Sequence, residues 1–246
     1  MRTNLKTQDY FNYFINSENQ RILKFDNWLE MGKVVENRIP SIKRQLFIIS
    51  LNILIAKYTS GYAIEELRRE FPLVINRFVE GWNDHDSTPE DDVHFDEYLL
   101  MLRMLSLGVL LETNQYDFNK IIEVLHKSNR KDDLFSFIIS YKTGYPSMVN
   151  KLTYEQFRPL CETTKEMDKN KAIAILKNYL DNDWYKSMKL TYWYDNHKSK
   201  ADIFFGYWSF ESGVLVKILG LDDTTLKNQP YYPYDMVHWR ETTIWN

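Results

Sequence analysis

Apolar positions recur every three or four residues along most of this 246-residue chain, the spacing of amphipathic helices rather than strands. A first helix is predicted from Asp9 to Val35, with a break near Ser17. Pro40 and Ser41 open a second, in which Ile42, Leu46, Ile49, Ile53 and Ala56 share one stripe. Its flanking faces are apolar too, which makes it central, and Gly61 ends it. A third runs from Ala63 to about Val79, carries the solvated run EELRRE and should break or kink at Pro72. Thr88-Pro89-Glu90-Asp91 has helix-start chemistry: a capping hydroxyl, a proline suited to the first position and acids that complement the dipole. That helix is expected to reach Leu111, with shorter ones near Phe118–Lys127 and Asp132–Tyr141.

The link KSNRKDD reads as a boundary between an N-terminal helical domain, 1–128, and a C-terminal one, 129–246, packed together as one unit. Beyond Pro146, helices are predicted at Tyr154–Lys165, Asp168–Asn182 and Ala201–Leu219. Gly220 is placed for a left-handed cap, Asp222 or Asp223 for capping a short turn, and Met236–Arg240 for a last helical turn. No strand alternation of useful length occurs. The expected fold is all-α, an irregular multi-helix bundle of about ten helices with no substantial sheet. A tetratricopeptide-like superhelix is the alternative, but the period is irregular and its repeat signature is absent.

Composition supports that expectation. Eight glycines and seven prolines are few for a turn-rich β fold, and 44% apolar residues supply a sizeable core. The single cysteine, Cys161, rules out an intramolecular disulfide and a multi-cysteine metal cluster, and its helical spacing from Phe157 makes it a small buried residue. The N-terminal sequence shows no cationic-then-apolar leader. The most apolar run, Leu46 to Ala56, is far shorter than the roughly 20 residues of a membrane span. A cytoplasmic protein without membrane contact is expected.

Charge changes the picture more. Between Phe78 and Leu102 lie Glu80, Asp84, Asp86, Glu90, Asp91, Asp92, Asp96 and Glu97, with no lysine or arginine. The rest of the chain is therefore net basic although the whole carries −3. So negative a stretch repels nucleic acid and suits a basic protein partner or a cation.

Glycine-rich phosphate loops, G-x-S-x-G, H-E-x-x-H and C-x-x-C are all absent. Three looser constellations remain. His85 and His94 sit among the acids, and His85-Asp86 is similar to the doublet of metal-dependent phosphohydrolases; a second, converging doublet is missing, and a solvated helix start explains the segment. Glu211 is a lone acid in an apolar segment; on the expected Ala201–Leu219 helix it projects between Trp208 and Leu215, so it must be neutralised or paired. The donors expected for it are Tyr231, Tyr232 and Tyr234, with Lys217 and Lys227, in a structural rather than catalytic role. Trp193, His197, Tyr207 and Trp208, near Lys186, Lys189, Lys198 and Lys200, match a base-stacking surface in type, but aromatics at helical spacing are core residues first.

His197-Lys198, then Gly206-Tyr207-Trp208-Ser209-Phe210-Glu211, then Asp222-Asp223, then Tyr231-Tyr232-Pro233 and Asp235, resemble the C-terminal signature of the PoNi-type immunity proteins. Those accompany bacterial polymorphic toxins with PoNe-type DNase domains. The segment LGVLLETNQYDFNKIIEVLHKSNRKDDLFSFII resembles the stretch joining that family's two domains, and the N-terminal third matches it in helical character. Ser212-Gly213 departs from the pattern, which carries small alanine-like residues there. The resemblance implies a helical inhibitor of a cognate toxin's nuclease domain, with no catalytic residue, cofactor or metal. Partner contact is then expected from the acidic face, Asp84, Asp86, Glu90, Asp91, Asp92, Asp96 and Glu97. A metal-dependent hydrolase using His85 and His94, and a general helical interaction scaffold, are the competing expectations.

Overall fold

A computed structural model describes residues 1–82, 94–146 and 149–240. Among the described residues there are eleven α-helices and no strand. The chain divides into two compact units, each discontinuous in sequence. The first comprises 1–89, 119–128 and 195–206, and the second 90–118, 129–194 and 207–246.

The first unit is built on three long helices, α1 (Gln8–Glu30), α2 (Ile39–Ser60) and α3 (Ile64–Trp82). α1 is continuous through Ser17, where a break was expected. α2 starts with Pro40 in its first turn and ends at Gly61, whose φ of 101° is one that glycine adopts cheaply. It is buried on nearly every side from Leu46 to Ser60. With the preceding turn it forms an apolar stretch, Glu36–Ser60, long enough by length and composition to cross a membrane, yet it packs here between α1 and α3. α3 continues through Pro72 without a break, forfeiting one backbone bond to the carbonyl of Arg68. The core against α2 is aromatic: Phe47 lies 4.9 Å from Phe78 and 6.1 Å from Trp82, and the Arg44 guanidinium lies 3.5 Å above the Trp82 ring.

The segment 201–209, expected to be helical, is not. Tyr10 Oη accepts from the Phe204 amide at 2.7 Å and lies 3.0 Å from the Phe204 carbonyl, and Thr59 Oγ1 reaches the Phe205 carbonyl at 2.7 Å. Those backbone groups are satisfied by side chains of α1 and α2 instead of by a helix. Gly206, at φ 127°, then turns the chain in a way other residues resist.

The second unit is centred on α4 (Phe95–Leu110), of which only Asp96 and Glu97 escape full burial. α4 begins at Phe95 with an extended His94 as its N-cap; the start expected at Thr88-Pro89 falls outside the described residues. α5 (Gln115–Lys127) is divided between the two units. α6 (Asp133–Thr143) and α10 (Phe210–Leu219) pack on α4; α7 (Arg158–Lys165) packs on α8 (Lys169–Asn182), α6 and α10, α9 (Trp184–Ser187) on α8, and α11 (Tyr234–His238) on α10. Cys161 is buried in α7, and desolvation, helped by the neighbouring Asp133 and Asp132 charges, pushes its thiol up to about 12, so it is packing material rather than a nucleophile.

The close crossing of α2 and α3 depends on Gly81: a Cβ there would sit 2.6 Å from the Lys43 carbonyl oxygen. Gly81→Ala should therefore destabilise the first unit by about 1–3 kcal/mol despite its better helix propensity. Urea unfolding checks this, and a stabilised variant would show that the helices separate without cost.

Candidate functional site: a buried carboxylate and its aromatic housing

Two helices of the second unit each carry one isolated charge in an apolar sequence, Arg103 on α4 and Glu211 on α10. Both are 3% exposed. The two helices pack on each other. An ionised group in such a place must be compensated, because its lost hydration costs several kcal/mol.

Glu211 is held directly. Trp184 Nε1 donates to Glu211 Oε1 at 2.6 Å, and the Ser209 hydroxyl lies 2.8 Å from the same oxygen. Ser209 also lies 2.7 Å from the Ser212 hydroxyl, and its backbone N–H donates to the Tyr231 carbonyl at 2.8 Å. The donors expected for Glu211 therefore prove to be others. Lys217 pairs with Glu112 at 3.1 Å, Tyr232 donates to Asp223, and Lys227 sits over the Tyr234 ring. Trp208 precedes the helix instead of flanking Glu211 on it.

Arg103 reaches the same assembly through rings. Its guanidinium lies 4.8 Å above Trp193, Trp193 stacks on Trp184 at 6.1 Å, and Trp184 bonds Glu211. Tyr231 packs on Trp184 at 4.9 Å and stacks on Tyr185 at 5.2 Å with the rings 5° from parallel, while Tyr207 lies 5.6 Å from Trp193. Burial pushes the Glu211 carboxyl up from the ordinary range, opposed by its own backbone amide, by Trp184 and Ser209 and by the Arg103 charge. Burial likewise lowers Arg103, opposed by Tyr192, Glu211 and Asp96. This assembly ties α9, the start of α10 and the Tyr231 backbone together.

Most of the remaining signature residues lie around α10 and α11 of the second unit. Gly220 caps α10 at φ 59°. Asp222 is exposed and accepts from the Thr224 amide at 3.1 Å, which holds its carboxyl below the usual range. Asp223 is buried and accepts from Tyr232 Oη at 2.6 Å, with His238 Nε2 at 2.8 Å. Pro233 is buried against α10, where a Cβ on Gly213 would meet its Cγ at 2.7 Å; the departure at Ser212-Gly213 thus fits a closer approach of α10 to Pro233. Asp235 lies exposed on α11. Gly206, His197 and Lys198 belong to the first unit, where His197 contacts Phe204 and Lys198 pairs with Asp195 at 2.8 Å.

Of the acidic stretch, Asp84, Asp86, Glu90, Asp91 and Asp92, together with His85, lie outside the described residues. Asp96 is half-buried and turned inward: desolvation raises its carboxyl, and the Tyr192 backbone amide and Arg103 counter that. Glu97 is half-buried and His94 exposed. Among the described residues, no three His, Cys, Asp or Glu side chains gather as metal ligands. Of the proposed base-stacking set, Trp193, Tyr207 and Trp208 are buried core.

The buried signature residues Tyr207, Trp208, Glu211, Asp223, Tyr232 and Pro233 serve packing and internal hydrogen bonding. Residues 2–123 match the model of the PoNe immunity proteins (PoNi), N-terminal part, and residues 130–236 match that of their C-terminal part. The chain belongs to the PoNi family and is an immunity protein of a polymorphic toxin system. Protein PA2201 from Pseudomonas aeruginosa, known from a crystal structure, has a similar fold at 18% identity and a TM-score of 0.69, over 98% of this chain and 91% of that one. No curated protein matches the chain.

Replacing Glu211 by alanine strands the buried Trp184 Nε1 donor and leaves Ser209 Oγ only its Ser212 partner, and should cost about 1–3 kcal/mol in chemical unfolding. Glu211→Gln keeps an acceptor and should cost less. It should also change the pH response. A carboxyl raised in the folded state holds its proton after the unfolded chain has lost it, so its contribution falls as pH rises from the ordinary 4.5 toward the raised value. The stability difference, wild type minus Glu211→Gln, should thus decline with pH across that window; a pH-independent difference would refute the assignment.

Proposed function

We propose that this immunity protein neutralises a DNase toxin domain in the cytoplasm by laying its acidic stretch on the toxin's basic, DNA-binding face. The supporting observation is the run of eight acids without a lysine or arginine between Phe78 and Leu102, in a chain that is otherwise net basic. Carboxylates at that density resemble a phosphate backbone in charge. They steer association with a basic surface and set specificity more than they add raw affinity. The chain acts by occupying the toxin, without chemistry of its own. Within the stretch, Glu90, Asp91, Asp92 and Glu97 are the residues to assign to contact, with Asp84 and Asp86 beside them. Asp96 is retained by the Tyr192 amide and serves the fold.

The test is a variant with Glu90, Asp91, Asp92 and Glu97 changed to lysine, leaving Asp96 intact. Its association rate with the cognate toxin should fall about 10- to 1,000-fold at low ionic strength and converge on the wild-type rate in high salt. Cells co-expressing toxin and variant should lose protection. Undiminished protection would sink the acidic-face proposal and move the contact to another surface of the same immunity protein.

A further inference from the structure

The two family parts and the two compact units divide the chain differently. The N-terminal part, 2–123, includes α4, and the C-terminal part, 130–236, includes 195–206. In the structure α4 belongs to the second unit and 195–206 to the first. Each part therefore gives one element to the unit built mainly from the other.

Both elements are central where they lie. α4 packs on α10 and α6, and every residue from Tyr98 to Leu110 is buried. Tyr98 stands among Phe135, Tyr154 and Phe157 at ring distances of 4.8, 5.1 and 5.2 Å. Arg103 lies over Trp193 in the housing of Glu211. In the first unit, Phe204 is fully buried, 6.0 Å from Phe11 of α1. Its amide donates to Tyr10 Oη at 2.7 Å, and Thr59 of α2 donates to the Phe205 carbonyl at 2.7 Å. A unit deprived of its element from the other part would lose core contacts and leave buried polar groups unpaired.

Each unit also has a core of its own, Phe47, Phe78 and Trp82 in the first and the surroundings of α4 in the second. Regions with separate cores open as separate cooperative units. We infer that the protein opens as two cooperative units cut across the family's two parts, 195–206 with α1–α3 and α4 with α6–α11. The acidic stretch joins Trp82, buried in the first unit, to Phe95, buried in the second, so its two ends are anchored in different cooperative units.

Amide hydrogen exchange of the full chain tests this grouping with one destabilising change in each unit. Gly81→Ala strains the α2–α3 crossing. It should speed exchange about tenfold in α1–α3 and at the Phe204 amide, and leave α4 and α10 at wild-type rates. Glu211→Ala should do the converse, speeding α4 and α10 and sparing α1–α3 and Phe204. Glu211→Gln, the milder change, takes its place if the alanine variant does not fold. Exchange in α4 that follows Gly81→Ala, or at Phe204 that follows the Glu211 change, overturns the proposal. So does a uniform rise in both units or no change in either.

Discussion

Glu211 is the group on which the second unit depends. A carboxylate 3% exposed in an apolar helix is tolerated only with donors and a countercharge. Meeting that demand determines much of the surrounding structure. Ser209 must place its hydroxyl on the carboxylate while its amide reaches Tyr231, which fixes where α10 begins and where the tyrosine–proline return lies. Trp184 must present its indole N–H, which fixes α9. Arg103 must lie within electrostatic reach, which limits how α4 can slide or rotate against α10. Helix packing alone tolerates neighbouring registers that exchange one aliphatic ridge for another. A misregistered pair of lone charges loses far more than a misplaced leucine. The buried polar set therefore selects one arrangement among several that the apolar surface would accept.

The aromatic residues around it follow from the same demand. An indole serves the carboxylate and the guanidinium together, because its edge donates a hydrogen bond while its face attracts a cation. Trp184 performs the first task, and Trp193, stacked on it, performs the second. The low-dielectric packing of Tyr185, Tyr207 and Tyr231 strengthens each of these contacts and would make any unmet one costlier.

Much of the fold was legible in the sequence because its signals are local. Periodicity located α2, α3, α6 and α8 to within a few residues, and Gly61 and Gly220 marked ends by chemistry that acts over one turn. The failures lie where a distant partner overrides local pattern. Residues 201–209 have helical apolar spacing, yet Tyr10 and Thr59 take their backbone groups, and nothing in the segment itself announces partners some 150 to 190 residues away. The burial of Glu211 was legible from its apolar neighbours, but its partners were sought among adjacent tyrosines and lysines. A usable signal did exist. Arg103 is the sole charge between Tyr98 and Leu111, as Glu211 is between Phe204 and Val216. Two lone charges of opposite sign in two buried helices ask for each other, whatever their separation in sequence.

This division bears on how an immunity family diversifies. Tyr207, Trp208, Glu211, Asp223, Tyr232 and Pro233 are interior residues of the second unit. Such positions are expensive to alter and say little about a partner, because they do not meet it. Exposed charge is cheap to alter: a surface substitution usually changes stability by less than about 0.5 kcal/mol, yet one charge can change association rate and partner choice. A fold whose specification is internal is therefore free to vary its surface against a changing toxin. By the same argument, shared interior residues identify the family without identifying the toxin, and the reading of the target has to come from the pattern of exposed charge.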